Sequence, residues 1–331
     1  MDSTGKRVGR RLVVAVGAVA GTAVGWLLFV RVPDDRTVLG VLLTVAAAAL
    51  AVKVASSVAS SAFGAYDTAA VRVTGPIARD GGRSIPANPQ QVPAGAVVDQ
   101  IERADADANV AALVVRLNTP GGEVVPSDDI RRAAADFDGP TVAYATDVCA
   151  SGGYWIASAC DRVVARENSL VGSVGVRGSR LNAADLAAKL GVDYERLVAG
   201  EYKDAGTPLR DLDEDERRYL QGIVDDLYDS FVATVADGRD LSEDAVRDTE
   251  ARVFVGADAV ERGLVDEVGT REDVEAYLAD ELGHDVEVRA FEPPVGLRVR
   301  LRRTALGAAY ALGAGVASAF GDGDGTAVQF R

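Results

Sequence analysis

The sequence has one histidine, two cysteines and only 6% aromatic residues in 331. That is too few histidines and cysteines for a tetrahedral zinc site built from those ligands. Cys149 and Cys160 both sit in an apolar segment, which predicts small, buried packing residues. A nucleophilic Cys149 would lack the histidine base that papain-type thiol chemistry needs, because the single histidine, His284, lies in the acidic stretch ELGHDVEV. There is no GxxxxGK[ST] phosphate loop, so neither a metal nor a nucleotide cofactor is implied. A net charge of −15 offers phosphates no basic surface and disfavours nucleic acid as a partner. Lysine is scarce as well: Lys6, Lys53, Lys189 and Lys203 are the lysines, and the other basic residues are arginine. Acid excess with so little lysine predicts a halophilic surface, one whose charge keeps the chain soluble in high salt.

Long apolar runs are present. LVVAVGAVAGTAVGWLLFV, residues 12–30, is close to the roughly 20 residues that cross a bilayer core. It is longer than the apolar core of a signal peptide, and no clear small-x-small cleavage site precedes RVPDDRT. A second run, VLGVLLTVAAAALAV (38–52), continues weakly past Lys53 to about residue 60, and a lysine there can snorkel to the headgroups. Residues 1–65 therefore read as a membrane anchor of one or two spans. Lys6, Arg7, Arg10 and Arg11 favour a cytoplasmic N-terminus. Two spans, the reading favoured here, return the main domain to the cytoplasm, and one leaves it outside.

From about residue 66 the pattern alternates strand and helix, which predicts a layered α/β domain over 66–290. AAVRVTGPI (69–77), NVAALVVRL (109–117), TVAYAT (141–146), DRVVAR (161–166) and DYERLVA (193–199) read as strands. Residues 93–107, 181–190, 214–238 and 271–282 read as helices, and so does 127–137, with Ser127 as its cap. Residues 291–331 form a C-terminal apolar segment and tail. The part at 305–320 is open between a surface helix, a core element and a short span.

Two glycine-rich turns follow strands. In RLNTPGGEVV, Pro120 fixes φ, and Gly121 and Gly122 permit a path that points amides at a ligand. In DVCASGGYWIASAC, Ser151 stands where a strand gives way to a segment of helical length, and a nucleophile there gains from unpaired amides. Gly152 together with Gly121 or Gly122 would form a two-amide oxyanion hole if the turns meet. With histidine absent from the neighbourhood, lysine or a carboxylate must serve as base. Lys203, in the glycine-punctuated loop LVAGEYKDAGTPLR, is a lysine where arginine is the rule, and only lysine can lose its proton. The plain alternative is a solvated loop lysine between Glu201 and Asp204.

Three segments, AVVDQIERADADANVAALVVRLNTPGGEVVPSDDI, DVCASGGYWIASACDRVVARENSLVGSVGV and GEYKDAGTP, resemble the signal peptide peptidase A family, peptidase family S49, in order and spacing. The resemblance covers about residues 66–282. It implies a crotonase/ClpP-like fold of repeated strand-strand-helix units and a serine–lysine dyad, with Ser151 as nucleophile and Lys203 as base. Ser173 of VGSVGV would orient the lysine, and Gly152 with Gly121 or Gly122 would line the oxyanion hole. It further implies a membrane-anchored serine endopeptidase for remnant signal peptides or other apolar membrane peptides. A chain of the short, single-domain form would assemble as a homo-oligomeric ring, each dyad completed between neighbours. Asn118 departs from the serine more usual before PGG, and two spans depart from the common single one. The alternatives are a related protease of the stomatin-partner type and an inactive crotonase-like membrane scaffold.

Overall fold

The computed structural model describes residues 3–31, 38–62, 66–79 and 93–293; the 305–320 segment and the tail lie outside the described residues. The chain begins with a helical hairpin. Helix α1 (Ser3–Trp26) runs into a π-helical turn at Leu27–Arg31, and α2 (Val38–Ala62) returns beside it. Two stretches, Arg11–Arg31 and Val38–Ser56, are long and apolar enough to cross a membrane, with mean hydropathies of 2.2 and 2.3. Only 6% of each stretch is buried within the protein, unlike a core helix. The hairpin packs through small residues at every fourth position. Gly17, Gly21 and Gly25 face Ala55, Ala51 and Ala47, and a Cβ at Gly21 would collide with that of Ala51. Such small-residue faces let helix backbones approach closely in lipid, where there is no hydrophobic drive to association.

The rest is a mixed α/β domain around one eight-stranded sheet. Strands β1 (Thr68–Thr74), β2 (Ala112–Thr119) and β3 (Thr141–Ala150) form its centre. Helices α3 (Ala94–Asp105) and α4 (Val124–Ala135) make the crossovers, so these strands are parallel. Strand β3 has two successive partners. Val142–Ala145 pairs with β4 (Arg162–Ala165), and Val148–Ala150 pairs with β5 (Leu170–Gly172). The short helix α5 (Gly152–Ala157) lies between β3 and β4. Beyond β5 come α6 (Ala184–Lys189), α7 (Glu214–Arg239) and α8 (Glu243–Arg247). Strand β6 (Val253–Val255) pairs antiparallel with β5. Helix α9 (Gly256–Glu261), β7 (Glu267–Val268) beside β4, α10 (Arg271–Leu282) and β8 (Val288–Ala290) beside β1 complete the domain.

Both faces of the sheet are covered, which is why its central strands read as nearly continuous apolar runs. Leu113, Val115 and Leu117 of β2 point into the larger core with Ile101, Ile130 and Phe231 from α3, α4 and α7. The alternate residues Ala112 and Val114 face Val274 and Leu278 of α10. Capping boxes start the two best-defined helices: Asp213 with Glu216 for α7, and Thr270 with Asp273 for α10.

Two expectations need correction. Helix α4 starts three residues before Ser127, which lies inside it and donates its hydroxyl to the Glu123 carbonyl four residues back (2.7 Å). Glu123 is the N-cap residue instead. Residues 193–199, read as a strand, have no regular structure, because no neighbouring strand offers them a ladder. They belong to an exposed stretch from about residue 177 to 213, in which Leu181 and Leu197 are each 84% accessible.

Candidate active site

Strand β3 ends at Ala150 and α5 begins at Gly152, so Ser151 is the whole connection between them. Its backbone takes φ 53° and ψ −124°, a conformation that non-glycine residues adopt only at a cost of about 1–3 kcal/mol. The elbow is held from both sides. The Ser151 N–H donates to the Gly172 carbonyl (2.8 Å), and the Trp155 N–H donates to the Ser151 carbonyl (2.9 Å). The latter bond opens the helical ladder, so the amides of Gly152 and Gly153 precede it. A hydroxyl-bearing residue on a strained strand-to-helix turn, ahead of unpaired amides, has the geometry of a nucleophile elbow.

The two glycine turns meet at this elbow. A Cβ placed on Gly121, which has φ +87°, would lie 2.6 Å from the Gly152 nitrogen and 2.8 Å from the Ser151 Cβ. One placed on Gly152 would strike the Ser127 hydroxyl and come within 3.4 Å of the Gly122 nitrogen. Only glycine fits either position. Thr119 shapes the first turn: its buried hydroxyl accepts from the Gly121 N–H (3.0 Å) and donates to the Gly75 carbonyl (2.6 Å). Gly122 forms a parallel bridge with Ile77 through the Gly121 carbonyl and the Glu123 N–H. Along an extended segment this pattern turns the Gly122 N–H to the opposite side. The sequence reading missed Thr119, although a hydroxyl two residues before a Gly-Gly pair is a recurrent local turn device.

Ser173 stands beside Ser151. The register of β3 on β5 places Ala150 opposite Gly172, so the two serines leave neighbouring parallel strands together. Ser173 also has positive φ, 55°, and its N–H donates to the Arg252 carbonyl (2.8 Å). Among the described residues neither serine hydroxyl makes a hydrogen bond within the chain.

Lys203 comes from a different part of the chain. It lies on an exposed turn in the 177–213 stretch, and no hydrogen bond links it to Ser151 or Ser173 among the described residues. Its neighbour Asp204 is the centre of a charged cluster. The carboxylate accepts both Nε and Nη2 of Arg196 (3.0 and 2.8 Å to Oδ1) and Nη2 of Arg210 (3.1 Å). Arg210 also pairs with Glu216, whose side chain is nearly inaccessible. Hydrogen bonds from Arg196 and then Arg210 hold the Asp204 carboxyl well below the usual carboxylate range, and the hydrogen bond from Arg210 lowers that of Glu216.

The cysteines take no part. Cys149 and Cys160 are free and buried, and burial pushes both thiols up, that of Cys160 to about 12 with a contribution from Asp161. No cluster of metal-ligating side chains occurs among the described residues.

The fold and the elbow together define a class: a mixed α/β domain with a strained serine at a strand-to-helix turn, against which two glycine turns close. Comparison with known proteins narrows this class. The sequence profile of peptidase family S49 matches residues 133–285, a span that holds Ser151, Gly152, Ser173 and Lys203. A protein of Methanocaldococcus jannaschii named "Putative protease" is 37% identical over 180 residues, 54% of this chain and 57% of that one. One of the same name from Synechocystis sp. is 38% identical over 198 residues, 57% of this chain and 71% of that one. A "Putative signal peptide peptidase SppA" of Enterococcus faecium is 35% identical over 178 residues, 53% of this chain and 52% of that one. The chain thus spans little more than half the length of the first and third relatives. It belongs to peptidase family S49.

Proposed function

We propose that the protein is a membrane-anchored serine endopeptidase with a Ser151–Lys203 dyad on a crotonase/ClpP-like domain (residues 66–290), acting on remnant signal peptides or other apolar membrane peptides. The observation that carries the reading is the elbow: Ser151 at φ 53°, with the two glycine turns closed against it. Neutral Lys203 takes the Ser151 hydroxyl proton, and the oxygen attacks the peptide carbonyl. The proton then passes to the leaving amine, and water releases the acyl-enzyme. Gly152 and Gly122 are the donors for the oxyanion. Gly121 serves by conformation, because its N–H is already given to Thr119. Ser173, one strand over from Ser151, receives and orients the lysine amine.

Lys203 reaches Ser151 from a neighbouring copy in a homo-oligomeric ring. Two features support this: Lys203 is exposed on its own chain, and the stretch carrying it presents Leu181, Leu186, Leu190 and Leu197 to solvent at 60% accessibility or more. An uncovered apolar surface of that kind fits a protein partner. The N-terminal hairpin is the anchor. Its two apolar helices, packed side by side, support two spans; the domain then lies on the side of the basic N-terminus, the cytoplasm by the positive-inside rule, whereas a single span would leave it outside.

The test is cleavage of a fluorogenic apolar peptide by the detergent-solubilised full chain and by Ser151→Ala and Lys203→Ala. Each variant is expected to lose activity by at least about 10³-fold, in line with loss of a nucleophile or its base. A mixture of the two inactive variants is expected to recover part of it, because some neighbour pairs then carry one intact dyad. Unchanged cleavage by both single variants would refute the dyad. Loss in each without recovery on mixing would refute sharing between copies.

A further inference from the structure

We infer that Asp204, gripped by Arg196 and Arg210, is a positioning residue that sets where Lys203 stands, and that the Glu216–Arg210–Asp204 chain ties that position to the start of α7. The inference rests on Lys203 being the base proposed above.

Residues 190–213 have no regular secondary structure, so no helix or strand ladder fixes the backbone at Lys203. What fixes it is a set of arginine forks. Arg196 and Arg210 both clasp the Asp204 carboxylate, and Tyr194 donates its hydroxyl to the same group (3.2 Å). Arg196 also donates to the Glu201 carbonyl (2.7 Å), on the other side of Lys203. Arg180 donates to the carbonyls of Thr207 and Arg210 (2.9 and 2.6 Å), closing the far end of the turn. Lys203 thus sits between two points, Glu201 and Asp204, that one arginine holds at once.

The network also has an anchor in regular structure. Arg210 Nη1 donates to Glu216 Oε2 (2.7 Å), and the Glu216 carboxylate reaches back to the Asp213 N–H in the capping box of α7. Glu216 is only 2% exposed, which is unusual for a carboxylate and is explained by its guanidinium partner. Exposed ion pairs add little to stability. A fork-on-carboxylate arrangement instead gives geometric precision, because planar guanidinium and carboxylate groups meet in few orientations. Asp204 is fully engaged by its two arginines, so it does not tether the lysine amine as a counter-ion. Its effect on Lys203 is through the backbone.

The test compares kcat, KM and the number of labelled serines for the full chain and for Asp204→Asn, Arg210→Lys and Lys203→Ala. Asp204→Asn keeps the shape and loses the charge that holds both forks. Its kcat is expected to fall 10- to 100-fold with KM within twofold, while the final extent of fluorophosphonate labelling per chain stays the same and only its rate drops. Arg210→Lys keeps the charge and loses the fork, and a three- to tenfold fall in kcat is expected. Both variants turning over at the wild-type kcat, with Lys203→Ala inactive, would overturn the positioning role and leave the base assignment intact. A fall in kcat matched by an equal fall in the number of labelled serines would also overturn it, since the residue would then be holding the fold alone. Undiminished cleavage by Lys203→Ala would overturn the base assignment beneath it.

Discussion

Replacing Gly121 by alanine adds a single methyl group, and the structure shows where it goes. The new Cβ would lie 2.6 Å from the Gly152 nitrogen and 2.8 Å from both the Ala150 carbonyl oxygen and the Ser151 Cβ. Non-bonded heavy atoms of this kind settle at about 3.5 Å or more, so the turn must retreat by roughly 0.7–0.9 Å. None of the three obstacles is the far end of a flexible side chain, so rotation of a rotamer cannot relieve the contact. The φ of +87° adds about 1–2 kcal/mol for any residue with a Cβ. Overpacking of a tight site typically costs about 1–3 kcal/mol. The sum, about 2–5 kcal/mol, falls on the elbow and can be relieved only by moving Ser151 or the amides beside it. A shift of that size misaligns an oxyanion donor, whose loss typically costs 10²–10³ in kcat. Gly121→Ala is therefore expected to keep a folded domain, with a lowered Tm, and to lose at least about 100-fold in kcat/KM against a fluorogenic peptide. Gly95→Ala is the control. Gly95 lies in α3 with nothing within 4 Å of its would-be Cβ, so alanine there is expected to be neutral or stabilising by up to about 1 kcal/mol. Gly121→Ala within threefold of wild-type kcat/KM would show that the contact between the two turns has no part in the chemistry.

Further expectations concern the core, the anchor and acid. Ile130→Ala empties a fully buried position between α4 and the sheet and is expected to cost about 2–5 kcal/mol, read from denaturant unfolding of the domain. Gly21→Leu forces a large side chain against Ala51 and should part the hairpin; loss of crosslinking between cysteines placed at Val13 and Val58, which line the same groove, reports it. Asp204 and Glu216 have folded carboxyl pKa values below their ordinary ones, so their contribution is complete above about pH 4–5 and is lost as pH falls through the lowered folded values. Limited proteolysis of the 190–213 stretch is thus expected to stay slow at pH 5 and to accelerate only in stronger acid. Acceleration already between pH 7 and 5 would contradict that assignment.

The central strands and long helices were legible in the sequence for definite reasons. Strand β2 is buried on both faces except at Arg116 and reads as a nearly continuous apolar run, while α7 and α10 announce themselves by Asp213-x-x-Glu216 and Thr270-x-x-Asp273. The two apolar spans were visible from length alone, but the close approach of Gly21 to Ala51 depends on a pairing between separate helices. Strands β5, β6 and β7 escaped because two or three residues carry no period, and their existence depends on the partners they meet. At the candidate site, residue types were readable but conformations were not. Nothing in the letters ASGG says that Ser151 takes φ 53°. That Ser173 stands beside it follows only from the β3–β5 register. The Asp204 cluster is not legible in the sequence, because its arginines lie eight residues before and six after and follow no local spacing.

The most direct test of the account is to label the solubilised full chain with a fluorophosphonate and map the modified peptide, with Ser151→Ala and Lys203→Ala treated in parallel. The account predicts one modified residue, Ser151. It predicts no labelling in Ser151→Ala and very slow labelling in Lys203→Ala. Modification of a different residue, or labelling of Lys203→Ala at the wild-type rate, would contradict it.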